Sequence, residues 1–164
     1  MSKNAYVLTG GETMSEAMGE FRVIDRNRSP EFIPPRDYVA SVLETTADRF
    51  ESGELLWYAG DFEVIGPDGL KRHCAIGGLC QVSGEDWNRT NKPVVAAAAE
   101  AMRPHISRQV EDHLKRESPH SDWTNMDGYS ADNLVISFND QVAKDMSEVV
   151  EVMKQAAKDL RNQS

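Results

Sequence analysis

The sequence predicts one α+β domain in which a small antiparallel sheet packs against three to four helices. Three observations carry that expectation. Apolar residues recur at helical spacing in three long segments, 37–52, 92–116 and 146–161. Between the first two, the β-prone runs Leu55–Tyr58, Phe62–Ile65 and Leu70–Cys74 cluster around the turn tetrad Gly66-Pro-Asp-Gly69. The length of 164 residues suits a single domain, and 40% apolar content with 3 Trp allows a packed core.

Residues 1–35 read as an N-terminal arm preceding a globular unit at 36–164. Thr13 and Glu16 have capping-box spacing, Gly19 would end the turns they open, and Phe21–Ile24 reads as a short strand. Asp25 to Pro35 carries three prolines and several charges and reads as loop. The arm either lies on the domain or on a neighbouring chain, or it is a partly disordered tail. In the first long helix, Tyr38, Val39, Val42, Leu43, Thr46, Ala47 and Phe50 make one stripe, and Gly53 is the expected C-terminal cap. Strands 62–65 and 70–74 form an antiparallel hairpin. The chain is then expected to be helical from Ala75 to Val82 in spite of Gly77 and Gly78. Glycine costs about 1 kcal/mol in a helix interior, so the pair implies that a backbone or a ligand approaches closely there.

After a loop carrying Trp87, Asn91 is expected to cap a helix with Pro93 in its first turn, buried through Val94, Val95, Ala98, Ala101 and Met102. Pro104 should kink or restart it, with Ile106, Val110, His113 and Leu114 continuing the stripe. Glu117–Asp132 reads as a long surface loop. Leu134–Phe138 reads as a strand completing the sheet. Asp145 or Ser147 caps the last helix.

The charge balance is acidic, with 18 Lys and Arg against 27 Asp and Glu and a net charge of −9. That sign disfavours nucleic-acid binding, which depends on basic side chains neutralising phosphates. It favours a soluble protein whose partner is another protein or a second copy of itself, a homodimer. No run approaches the ~18 apolar residues of a membrane span, and the first residues lack a signal-peptide core. A cytoplasmic location is therefore expected. Cys74 and Cys80 suit a reducing compartment, and their spacing on one helix does not allow a bridge. No metal or cofactor is expected, because neither zinc nor calcium spacing nor a phosphate-binding glycine loop is present.

Candidate chemistry gathers at two places. Cys74 stands where a strand passes into a helix, and a helix N-terminus can activate a thiolate. With His105 or His113 as base it would make a cysteine-dependent hydrolase or acyltransferase. His73 would point to the opposite face of the strand and is a poor base. In the competing reading Cys74 is a small buried core residue. His73, Gly77, Gly78, Asn139 and Asp140 are candidate binding positions; Asn139-Asp140 equally suits a strand terminator that bonds its own backbone.

Val42-Leu43 and Ala47 in the first helix, Trp57 in a strand, Cys74-Ala-Ile-Gly-Gly78, Phe138-Asn-Asp140 and Glu148-Val-Val150 together carry a resemblance. The chain resembles a group of small bacterial and bacteriophage proteins of unknown function with a C-A-[IL]-G-A … W-N-D pattern, over roughly residues 36–160. Phe138 stands where that pattern has Trp, and Gly78 where it has Ala. The resemblance implies a phage or bacterial origin and no activity. The expected function is that of a non-catalytic binding or regulatory protein, with the Cys74 enzyme as the alternative. Nucleic-acid mimicry would need the acids on one face, whereas they are spread along every element.

Overall fold

The apolar stripe read from Tyr38 to Phe50 becomes helix α1 (Arg36–Ser52), in which Tyr38, Val42, Leu43, Ala47 and Phe50 are buried. The computed structural model describes residues 22–23, 31–120 and 128–163, the first pair and 31–32 by backbone alone. Gly53 ends α1 at φ 81°, a left-handed conformation that glycine adopts without penalty. Helix α5 (Met146–Asn162) lies against α1 and buries Val149, Val150, Met153, Ala156 and Ala157. Asp145 caps it by accepting from Glu148 N at 3.3 Å. Arg161 clasps the pair, donating to Glu44 (Nε to Oε1, 2.8 Å) and to Ser41 Oγ (3.2 Å).

Before α1, β1 (Arg22–Val23) and β2 (Glu31–Phe32) pair antiparallel. β1 falls within the expected strand at 21–24, whereas β2 falls where loop was expected. The capping-box turns at 13–16 lie outside the described residues.

Strands β3 (Leu56–Trp57), β4 (Glu63–Ile65) and β5 (Lys71–His73) form one sheet in the order β3-β5-β4. β4 and β5 are the expected hairpin, with Glu63 opposite His73 and Ile65 opposite Lys71. Asp68 fixes its turn by accepting from Leu70 N (3.1 Å) and from both terminal nitrogens of Arg72 (2.8 and 2.7 Å). That forked bond holds the Asp68 carboxyl far below the usual carboxylate range. The sheet is mixed rather than antiparallel, because β3 runs parallel to β5, Trp57 beside His73. Residues 58–62 carry the chain past the position of β5, so β4 takes the outer edge and β5, returning from the hairpin turn, fits between β3 and β4.

Helix α2 (Ala75–Ser83) follows β5 directly and ends at Gly84, φ 79°. It is buried almost throughout, with Ile76 and Leu79 at zero exposure. Both of its glycines are explained by close approach. A Cβ on Gly77 would collide with the Phe62 carbonyl oxygen, and one on Gly78 would stand 2.7 Å from Phe50 Cζ of α1. Of the two readings open from sequence, a backbone fills the space at Gly77 and a core ring the space at Gly78.

Helix α3 (Pro93–Glu117) continues through Pro104 as one element and does not restart. An internal proline costs about 3 kcal/mol through the missing donor and the ring clash. Met102 and Ile106 flank it at zero exposure, and each such side chain contributes about 1.5–3 kcal/mol on burial. Packing therefore holds the helix together across the defect. Lys92, not Asn91, occupies its N-cap position and supplies no side-chain cap.

The largest correction falls at 134–138, which is not a strand. Residues Ala131–Ser137 form helix α4, opened by Ser130 accepting from Asn133 N at 3.2 Å. Ala131, Leu134, Val135 and Phe138 are buried, spaced i, i+3, i+4, i+7. A five-residue apolar run fits either period, and here the cap and the helical stripe decide. The chain then widens into one π turn, Phe138–Val142, closed by Ala143 N on Phe138 O at 2.8 Å. The fold is α+β: five α-helices and a small mixed sheet among the described residues, around a core shared by α1, α2, α3, α4 and α5.

Candidate functional site

The π turn turns Asn139 inward, where it is wholly buried. Its Oδ1 accepts from Trp57 Nε1 (2.7 Å) and from Ala75 N (3.0 Å). Its Nδ2 donates to Tyr58 O (3.1 Å) and to Asp140 Oδ1 (2.8 Å). The amide's full capacity of two acceptor sites and two donors is used, and this set of partners admits one orientation only. Asp140 Oδ1 also accepts from Gly60 N at 2.9 Å. One dipeptide thus fastens β3, the bend after it and the first turn of α2 to the end of α4.

Cys74 is the N-cap of α2, 2% exposed, and its Sγ accepts from Gly77 N at 3.4 Å. Burial pushes its thiol up to about 11, outweighing the backbone N–H groups that favour the thiolate; the nearby Asp140 carboxylate adds to the rise. Cys80, one turn and a half further along α2, is pushed up to about 12 by burial and by Glu85. Both thiols are free and buried. His105 bonds Asp159 of α5, Nε2 to Oδ2 at 2.6 Å, and ties α3 to α5. His113 is half-buried further along α3. Among the described residues no hydrogen bond joins Cys74 to either histidine. The structure brings Cys74 together with Asn139 and Asp140, and gives His105 a different partner.

His73 ends β5 and is 5% exposed. Burial lowers its imidazole below the ordinary histidine value, and Glu63, with Oε2 4.0 Å from Nδ1, opposes that shift without cancelling it. It forms one wall of a cleft of about 280 Å³ with Phe62, Glu63, Gln81, Asp86 and Trp87; Gly77, Cys80, Glu85 and Asn88 complete the lining. The Phe62 and Trp87 rings stack nearly parallel, at 17°. Trp87 remains 37% exposed, and Lys92 Nζ stands 5.2 Å from its ring centre.

Glu85 carries the cleft's least expected role. Its carboxylate accepts from Val94 N (3.2 Å) and Val95 N (2.6 Å), so it caps α3 from outside that helix. It is 5% exposed, and burial pushes its carboxyl up to about 6 although both amides and Lys92 favour the charge. Sequence reading missed Glu85, Phe62 and Trp87 as a group. One signal was present: Lys92 before Pro93 is a poor cap, so the helix had to find its acceptor elsewhere.

Among the described residues no group of three or more His, Cys, Asp or Glu side chains could hold a metal ion, and no helix is long and apolar enough to cross a membrane. Comparison with curated proteins and with solved structures gives no match. A family model does match, over residues 34–159, which hold the whole three-stranded sheet and every described helix except the last three residues of α5. The chain belongs to the family described as "Family of unknown function (DUF6197)".

Proposed function

We propose that this chain is a non-catalytic binding protein of the cytoplasm, of bacterial or phage origin, and that its partner docks at the Phe62–Trp87 cleft. The observation that carries the reading is how the chemistry-bearing residues are used. Asn139 and Asp140 are consumed by contacts within the fold, and Cys74 caps a helix with a buried, protonated sulfur. The cleft is different: it presents an open aromatic stack beside carboxylates at the surface. Exposed aromatic residues next to polar groups are the usual anchors of protein recognition. The partner is another protein or a second copy of this chain. A cysteine hydrolase draws support from the helix N-terminus at Cys74, but a thiol near 11 leaves little thiolate at neutral pH.

The test is a photo-crosslinking amino acid placed at Asn88, on the cleft rim, in the cell of origin, with Glu100 on α3 as the control position. The reading predicts one discrete adduct from position 88 that disappears when Trp87→Ala is added. An identical pattern from both positions, or none from 88, contradicts it.

A further inference from the structure

We infer that the cleft seats an arginine side chain presented by the partner protein, an inference that rests on the cleft being the docking surface. Three carboxylates line it, Glu63, Glu85 and Asp86, and no lysine or arginine does. Glu63 and Asp86 are half-exposed and come from different elements, one on β4 and one in the loop after α2. Their cationic neighbours are weak competitors. Lys71 is 3.4 Å from Glu63 and Arg89 is 3.9 Å from Asp86, and exposed pairs of this kind are screened and readily exchanged.

The remaining walls suit a planar cation. The Phe62–Trp87 stack is an aromatic wall of the cleft, and Trp87 attracts a cation, Lys92 Nζ at 5.2 Å, with which an arriving guanidinium competes. Gln81 and Asn88 add amide oxygens for the fork of N–H donors. Burial lowers the His73 imidazole below the ordinary histidine value, which favours its uncharged form beside the cleft. The volume of about 280 Å³ leaves room for one long side chain. A protein carrying a net charge of −9 also steers a basic partner toward itself.

The experiment is an NMR titration of the full chain at low ionic strength with N-acetyl-arginine methylamide, and separately with the citrulline counterpart, which has the same shape and no charge. The inference predicts that the Trp87 indole N–H and the Gln81 and Asn88 side-chain amides shift and saturate with arginine, and that citrulline binds at least about tenfold more weakly. The double variant Glu63→Gln, Asp86→Asn keeps both side chains' shapes at exposed positions. It should retain the parent melting temperature and lower arginine binding to the citrulline level. Equal binding of the two compounds overturns the arginine assignment and leaves the cleft as a docking surface. Binding of neither overturns it as well, and the adduct at position 88 then decides separately whether the cleft docks a partner.

Discussion

Replacing Asn139 by aspartate changes one NH₂ group to oxygen and puts the central latch of the fold under load. The two acceptor contacts, to Trp57 Nε1 and Ala75 N, survive. The two donor contacts do not, and the new oxygen faces the Tyr58 carbonyl and the Asp140 carboxylate, where Nδ2 stood 2.8 Å away. Two carboxylates at that separation do not both stay ionised, so the folded variant takes up a proton that the unfolded chain releases. The folded pair therefore titrates above an ordinary aspartate near 3.9, and stability is lost as pH rises through that window. Proton uptake caps the electrostatic penalty at about 1.4 kcal/mol for each pH unit above 3.9, or about 4 kcal/mol at pH 7 and about 1.5 at pH 5. A lost hydrogen bond adds about 1 kcal/mol at either pH. Denaturant unfolding of parent and Asn139→Asp proteins at pH 5, 6 and 7, followed by tryptophan fluorescence and far-ultraviolet dichroism, measures the difference. The deficit should shrink by about 3 kcal/mol between pH 7 and pH 5. A deficit that is constant with pH, or below about 1 kcal/mol at pH 7, would refute the geometry assigned to Asn139.

Further outcomes follow from the same contacts. Gly77→Ala gains about 1 kcal/mol of helix propensity but drives a methyl into the Phe62 carbonyl oxygen, a clash at the upper end of the ~1–3 kcal/mol overpacking range, so unfolding experiments should show a net loss of about 2 kcal/mol. Gly78→Ala should cost less, because the Phe50 ring at 2.7 Å can turn where a backbone carbonyl cannot; a larger loss at 78 than at 77 would contradict this. Glu85 has its carboxyl raised from 4.5 to about 6, so its contribution to stability is fully present below pH 4.5 and declines as pH rises through 6. The melting temperature of Glu85→Gln, measured from pH 4 to 8, should lack that decline, because the amide keeps the side chain's shape beside Val94 N and Val95 N and does not titrate. A decline unchanged in the variant would assign it to another group.

The helices at 36–52 and 146–162 were legible because apolar period and capping residues agree in each, whereas the helix after His73 was expected in spite of Gly77 and Gly78. The β4–β5 hairpin was legible from Gly66-Pro-Asp-Gly69, whose Asp68 and Gly69 do what their chemistry suggests. Helix α4 was not, since Leu-Val-Ile-Ser-Phe is β-prone locally, and the Ser130 cap together with tertiary burial of Leu134, Val135 and Phe138 selects the helical period. The parallel pairing of β3 was hidden for a similar reason, because strand order depends on the path of residues 58–62 and not on composition. At the site, Asn139-Asp140 was visible as a pair able to bond backbone, yet the backbone it bonds is 64 to 81 positions away in sequence. The cleft was invisible because Phe62 and Trp87 meet only when the loop after α2 folds over the start of β4.

The central claim is that Leu70–Gly84 and Phe138–Asp140 are framework, with Cys74 a capping residue inside it. Iodoacetamide labelling of Cys74 and Cys80 in the native protein, followed against pH and against increasing urea, tests it most directly, with Cys74→Ser as the control that assigns each signal. Both thiols should resist labelling at neutral pH and react only along the global unfolding transition. Rapid labelling of native Cys74, with a midpoint below the free-thiol value of about 8.5, would contradict it and return Cys74 to the place of a nucleophile.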